Sequence, residues 1–275
     1  MVNGLIEGSV ILSPDKKMYL KLIKIHCQIM KQNKYDEQIF FDQYKNMDRS
    51  IKGLEGAGEW HALKNILPSF DGKNVLDLGC GFGWHCRYAI ENGAKTVVGV
   101  DLSERMLNKA KEINNLPGIT YIRSALEDIT FEEQEFDCVI SSLTFHYIKD
   151  FDPLCTHINR WLKPGSSFVF SVEHPIFTAR PNQDWIYDAA GNKLYWPVDH
   201  YFEEGKRETL FLQNNVIKYH RTLTTYLTTL LANNFVINFV TEPQPNMEMI
   251  KSVAGMADEL RRPMMLIVSA QKRPE

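Results

Sequence analysis

Two carboxylates and a run of glycines carry the first chemistry that can be read from this chain. "VLDLGCGFG", residues 75–83, places Asp77 two positions ahead of Gly79, with Gly81 and Gly83 following at alternate positions. Glycines spaced this way after an apolar run let the backbone turn sharply and approach a ligand, because no side chain stands in the way. The helix pattern that follows aims its unpaired N–H groups into the same place, where they favour a carboxylate or a phosphate. A purely structural strand-to-helix turn uses the same glycines, so the loop alone does not choose a ligand. Trp84 narrows the choice: a dinucleotide loop, G-x-G-x-x-G, needs a small residue there so that helix and strand can pack. Asp77 narrows it again, since a carboxylate at a strand end repels pyrophosphate and suits an ammonium group. Asp101 closes the next apolar run, in "GVDLS", 18 residues after Gly83. An acid there accepts hydrogen bonds from both hydroxyls of a ribose, worth about 1.5–3 kcal/mol. Its competing role, capping a helix that begins near Glu104, can be taken by Ser103.

These residues need a scaffold of alternating strands and helices, and the apolar pattern supplies one. Strands are read at 74–79, 96–101, 119–123, 136–142, 167–172, 235–241 and 265–271. Helical spacing falls between them at 85–92, 104–113 and 153–162, where "LKPG" is a stop signal, and in a last helix that Tyr219, His220 and Arg221 begin and in which Leu223, Tyr226, Leu227, Leu230 and Leu231 share a face. The expected fold is α/β: a seven-stranded, mostly parallel sheet with helices on both faces. Residues 173–219 break the alternation with aromatic residues and turn signals at 189–192, 203–206 and 213–215, and predict a small antiparallel β insert of two or three strands after the fifth strand. Ahead of the sheet, 34–68 reads as two helices, the second at 58–67. The domain reading is an N-terminal extension (1–33), one domain (34–275), and residues 173–219 as its cap. Within the extension, Met18, Leu22, Ile25 and Ile29 share one face of an amphipathic helix.

Composition removes several function classes. The 275 residues are 44% hydrophobic and carry 31 basic against 34 acidic side chains, a net charge of −3 with no excess that favours phosphate backbones or anionic lipid. Neither a nucleic-acid nor a membrane partner is expected. Apolar runs stay below the roughly 18 residues of a membrane span. Cys27, Cys80, Cys86, Cys138 and Cys155 form no C-x-x-C pair and no cluster with histidines, so no metal site is expected and a reducing cytoplasm fits best.

The motifs "VLDLGCGFG", "GVDLS" and "FDCVISSLTFHYI" resemble those of class I S-adenosylmethionine-dependent methyltransferases, over the chain from about Tyr35 to the C-terminus. "SSLTFHYI", "FSVEHPIFTA" and "VIKYHRTL" resemble more closely a type 11-like subgroup acting on small molecules. The resemblance implies a Rossmann-like sheet, S-adenosylmethionine as cofactor and S-adenosylhomocysteine as product. It implies that Asp77, Gly79, Cys80 and Gly81 hold the methionine end, and that Asp101 and Leu102, with Met106, hold the ribose and one adenine face. Many relatives use an acid after the third strand for the adenine amino group, but this chain has "SALEDITF", which leaves the Ala125 and Leu126 backbone and Glu127 for that edge. Ser141, Ser142 and Leu143 are expected on the floor beside the sulfonium, and Tyr35 and Tyr44 over the amino-acid end.

Methyl transfer from a sulfonium needs alignment and dryness more than acid–base chemistry. A base is required only when the nucleophile must lose a proton, and the candidates are His146, Glu173 and His174. His146 has an equal alternative role in fixing its own loop. The aromatic residues Trp185, Tyr187, Tyr195, Trp196, Tyr201 and Phe202 form either the minicore of the cap or an acceptor clamp, and Arg221 is either a receptor for an acidic substrate or a solvated helix-start residue. The expected activity is methylation of an unidentified small-molecule acceptor by a monomer or homodimer. The rivals are a non-catalytic protein that binds the same cofactor and, with Trp84 and a missing Tyr-x-x-x-Lys pair against it, a nicotinamide oxidoreductase. Nucleic-acid methylation would favour an "NPPY"-like floor where this chain has "SSLT".

Overall fold

A computed structural model describes residues 31–274. The amphipathic helix expected over 18–29, and Cys27 with it, lie outside the described residues. Five strands run parallel in the order β3 (Ile119–Arg123), β2 (Thr96–Asp101), β1 (Asn74–Leu78), β4 (Phe136–Ser142), β5 (Leu162–Glu173). Four further strands of the insert intervene in sequence: β6 (Ile186–Tyr187), β7 (Lys193–Tyr195), β8 (Gly205–Phe211) and β9 (Asn214–His220). The main sheet then ends with β10 (Phe235–Thr241) and β11 (Met265–Lys272), and β11 lies between β5 and β10, antiparallel to both.

The central strands are near-continuous apolar runs because helices cover both faces of the sheet. Leu76, Leu78, Val139, Phe168 and Phe170 face one layer, where the helices Phe151–Trp161 and Leu223–Ala232 pack. Val75, Val97, Cys138 and Ile140 face the other, against Cys86, Ala89 and Leu107 of the helices Trp84–Glu91 and Glu104–Ile113. Each such side chain contributes about 1.5–3 kcal/mol by leaving water. The order reverses between β1 and β4, which opens a crevice at their carboxyl ends.

Three expectations change in detail. The leading segment is five short pieces rather than two helices: 3-10 turns at Lys34–Asp36 and Gly53–Gly56, and α-helices at Gln38–Tyr44, Asp48–Ile51 and Trp60–Leu63. Gly53 and Gly56 break it, and Gly53, at φ 63°, is a conformation that ends helices. The insert is two separate hairpins, β6–β7 and β8–β9. The second hairpin turns at Leu212 and Gln213, both left-handed at φ 48° and 57°, one step before the Asn-Asn pair that signalled it. Tyr219 and His220 close β9 rather than opening a helix. The helix begins at Leu223 under a Thr222 cap, whose side chain accepts the Thr225 N–H.

Candidate functional site

Gly79, Gly81 and Gly83 all adopt left-handed backbone, at φ 76°, 53° and 76°, but for different neighbours. A Cβ at Gly79 would lie 2.1 Å from Thr144 Oγ1, and one at Gly83 would lie 2.2 Å from the Tyr121 hydroxyl, so both are packed shut by protein. At Gly81 a Cβ would meet only the terminal methyl of Met106, at 3.3 Å, so this is the glycine whose open side is left for a ligand. Behind the loop, Asp77 is 1% exposed. Its Oδ2 accepts from the Cys86 thiol at 3.3 Å, while Oδ1 has no partner. Burial, with help from Asp101, raises this carboxyl to about 7. Asp101 accepts the N–H of Gly81 at 3.0 Å and of Ser103 at 2.8 Å, and burial raises it to about 6. Ser103, not Asp101, caps the helix Glu104–Ile113, so Asp101 is left to the loop.

The leading segment forms the opposite wall. Tyr44, Arg49, Ser50, Gly53, Leu54 and Ala57 face the loop residues Gly79 to Phe82, with Trp84, His85 and Ser142, around a cleft of about 460 Å³. The Arg49 guanidinium is 3.3 Å from Glu59 Oε1, which also accepts from Ser142 Oγ at 2.8 Å. Glu59 is buried and its Oε2 has no partner; burial would raise the carboxyl, but Arg49 and the Ser142 bond outweigh it and hold it down. The Trp84 indole packs on Gly53, and its Nε1 is buried without a partner. Asp36 accepts from Ser103 Oγ at 2.5 Å and from the Arg105 N–H at 3.0 Å, which straps the leading segment to the helix beside Asp101.

Other expected site residues land less directly. Ser141 is wholly buried and donates to the Leu78 carbonyl at 2.7 Å, so its side chain ties β4 to β1 rather than forming a floor; Ser142 lines the cleft. Leu143 is left-handed at φ 52°, with its N–H held by Ser171. The Leu126 side chain belongs to the core and the Ala125 carbonyl accepts the Asp128 N–H. Glu127 is half-buried in that turn, and Leu102 is half-buried next to Asp101.

On the far side of the cleft, Tyr35 packs on Tyr44 with ring centroids 5.1 Å apart, and donates to the Tyr147 hydroxyl at 3.4 Å. His146 is buried, and its Nδ1 accepts the backbone N–H of Glu173 at 3.3 Å. Burial, aided by Lys218, Arg221 and Arg49, pushes its imidazole down to about 4. The Glu173 carboxylate binds Lys218 Nζ at 2.6 Å and Gln183 Nε2 at 2.8 Å. His174 points elsewhere: its Nδ1 caps the Ile176 N–H and its Nε2 lies 2.9 Å from Glu242, since Pro175 starts a helical turn. Arg221 is neither solvated nor a substrate receptor, but buried under the loop after β4, donating to the carbonyls of Phe145, Ile148 and Lys149.

Residues 76–170 match the family described as a methyltransferase domain. The whole fold aligns with an S-adenosylmethionine-dependent methyltransferase of Mesorhizobium loti, 45% identical, with a TM-score of 0.74 over 80% of this chain and 100% of that one. The chain belongs to the S-adenosylmethionine-dependent methyltransferases. The methyltransferase is also similar to a Listeria monocytogenes protein assigned to the same activity, 55% identical with a TM-score of 0.74 over 78% of this chain and 98% of that one. It is 32% identical over 249 residues to a Haemophilus influenzae protein of unassigned activity, covering 86% of this chain and 96% of that one. Its cofactor is S-adenosylmethionine.

Several residues of the methyltransferase's cleft were not visible in its sequence. Arg49, on the helix Asp48–Ile51, and Glu59, just ahead of the helix Trp60–Leu63, sit ten positions apart, and no local spacing signals that they meet. Trp84 was informative only as a misfit to the dinucleotide loop. Lys218 sits in an alternating strand where a solvated lysine is the ordinary expectation, yet it is 2% exposed.

Proposed function

We propose that the methyltransferase holds S-adenosylmethionine between the glycine loop and the leading segment and methylates a small molecule enclosed beneath residues 173–219, as a single domain working in the cytoplasm. The observation that carries this reading is a pair of unlike groups on the two sides of the glycine loop: a buried carboxyl with an unused oxygen, Asp77, on the strand that leads into the loop, and a guanidinium, Arg49, in the cleft wall opposite the loop. An amino-acid tail has an ammonium and a carboxylate to match them. Gly81 leaves room for the backbone to approach, and Asp101, already oriented by two N–H groups, keeps lone pairs for the ribose hydroxyls.

The bound cofactor would supply a methyl group on a cationic sulfonium, whose sulfur leaves as a neutral thioether. The chain supplies alignment. Glu59 fixes Arg49 and reaches Ser142, so the leading wall and the end of β4 are held by one carboxylate. Arg221 pins the carbonyls of the loop that carries His146 and Tyr147, and misplacement of that loop by about 1 Å is enough to cost a hundredfold in rate. The aromatic wall of Tyr35, Tyr44 and Phe82 keeps the cleft dry.

Titration calorimetry with S-adenosylhomocysteine tests the reading. Asp101→Ala is expected to weaken binding about tenfold or more, and Arg49→Met by a similar factor. Affinity unchanged in both variants would move the cofactor out of this cleft.

A further inference from the structure

The groups that the sequence offers as proton acceptors are all engaged in the fold. His146 uses Nδ1 to accept the Glu173 N–H, so the neutral ring carries its proton on Nε2 and presents a donor there. Glu173 has one oxygen on Lys218 and the other on Gln183, and Gln183 also accepts from Thr209 at 3.1 Å. His174 is spent on Ile176 and Glu242. Tyr44 lines the cleft, and behind it the rings of a run of donors pack on one another: Tyr35 on Tyr44, Tyr147 on Tyr35 with centroids 6.3 Å apart, and His146 on Tyr147 at 4.3 Å. Burial raises Tyr35, Tyr44 and Tyr147 above the ordinary phenol range, so their hydroxyls keep their protons.

The charges behind this wall are matched. Arg49 from the leading segment, Lys218 from β9 and Arg221 after it act on the wall together with Glu59, Glu173 and Asp101. Arg49 pairs with Glu59 and Lys218 with Glu173. Arg221 has carbonyl oxygens and the rings of Phe151 and Tyr226 as its partners. A set of donors with no free acceptor among them favours an anion that arrives already deprotonated.

We propose, on the basis of the cofactor reading above, that the methyl acceptor is a carboxylic acid, methylated on its ionised carboxylate and received by the Tyr147 hydroxyl, to which Tyr35 donates, and the Nε2–H of His146. A carboxylate oxygen lone pair forms the new O–CH₃ bond as the S–CH₃ bond breaks and its electron pair stays on sulfur. The product is a methyl ester, and no proton is transferred. Glu173 then serves as the counter-charge of Lys218 and a positioning residue for His146.

The test uses the full chain saturated with S-adenosylhomocysteine and a panel of aliphatic and aromatic carboxylates, each paired with its primary amide and its alcohol. At least one carboxylate is expected to raise the melting temperature where its amide and alcohol do not. With methyl-labelled S-adenosylmethionine, the label transferred to that acid is expected to leave as methanol in mild alkali. At saturating S-adenosylmethionine its turnover should be flat from about pH 6 to pH 9, and His146→Gln, which keeps a donor and loses the base, should raise the KM of the acid while leaving the profile flat. A base at His146 predicts instead a loss of roughly 10²–10⁴ in kcat. Alkali-stable label, amides or alcohols that stabilise as well as acids, or no carboxylate that stabilises the loaded protein would each overturn the proposal. Absence of any shift with S-adenosylhomocysteine itself would bring down the cofactor reading instead.

Discussion

Asp77 keeps one oxygen of its buried carboxyl without a partner, and the proposed ammonium group of the cofactor would engage it. Its buried carboxyl holds a proton to about pH 7, where an unfolded chain loses it near pH 4, so the folded state binds more protons across that window. Its contribution to stability is therefore present at low pH and lost as pH rises from about 4 through 7. A cation beside Oδ1 reverses this by favouring the ionised form. Cofactor affinity is accordingly expected to rise about tenfold between pH 5.5 and pH 7.5 and then level, by calorimetry in one ionic strength. Asp77→Asn should flatten most of that slope, weaken binding at least tenfold, and leave the melting temperature at pH 8 at or above wild type. A steep slope surviving in Asp77→Asn would reassign the titration to Asp101, which burial raises to about 6. At this scale Asp77, Gly81 and Asp101 were legible as candidates because they sit at the carboxyl ends of two strands and in the turn that follows the first, where position along the chain is position in space. Arg49, Glu59 and Lys218 were not, because their roles depend on partners brought together from other elements.

At the scale of elements, the strand pattern was nearly complete in the sequence, since parallel strands buried on both faces are written as unbroken apolar runs. β2, β3, β4 and β10 coincide with their expected ranges, and the structure extends β5 back to Leu162. The leading segment was misread because its apolar residues, such as Phe40, Trp60 and Leu63, satisfy helical spacing, whereas Gly53 and Gly56 cut the helix into turns. Gly56 has no alternative, as a Cβ there would lie 2.2 Å from the Asp48 carbonyl oxygen. The glycine loop divides its labour in a way that substitutions can separate. Gly79→Ala drives a methyl into Thr144, which overpacks the junction of β1 with the loop after β4 and is expected to cost about 1–3 kcal/mol beyond the left-handed penalty. Gly81→Ala meets only the flexible end of Met106, so its stability loss should stay near the left-handed penalty of about 1–2 kcal/mol. Its loss of cofactor affinity should be the larger of the two effects. Chemical denaturation and calorimetry on both variants decide it, and a Gly81→Ala protein that binds normally would close the approach proposed here.

Across the whole molecule, the insert is anchored at two places with different consequences. The hairpin β8–β9 brings Lys218 to Glu173, beside the residues proposed to receive the acceptor. The hairpin β6–β7 is held instead by the segment that leads into β11: Lys193 pairs with Asp258 at 2.9 Å, and the Arg262 guanidinium lies 4.2 Å from the Trp196 ring centroid. Trp196 in turn stacks on Phe177, with ring centroids 5.0 Å apart and planes at 13°, meets Trp185 edge-on and donates to the Ile176 carbonyl. Of the two aromatic roles open in the sequence, these contacts make the group around Trp185 and Trp196 a minicore, while Tyr195 and Phe202 face solvent. Trp196→Ala is therefore expected to lower stability by about 3–5 kcal/mol and expose β6–β7 to protease. Cofactor affinity should stay within about twofold, because none of the cleft's lining residues comes from this hairpin. Lys218→Met is the counterpart: it leaves Glu173 buried without its cation and should impair acceptor turnover while leaving β6–β7 as protease-resistant as in wild type. Limited proteolysis beside calorimetry separates the two, and a Trp196→Ala protein of unchanged stability with weakened acceptor binding would return this ring cluster to the acceptor site.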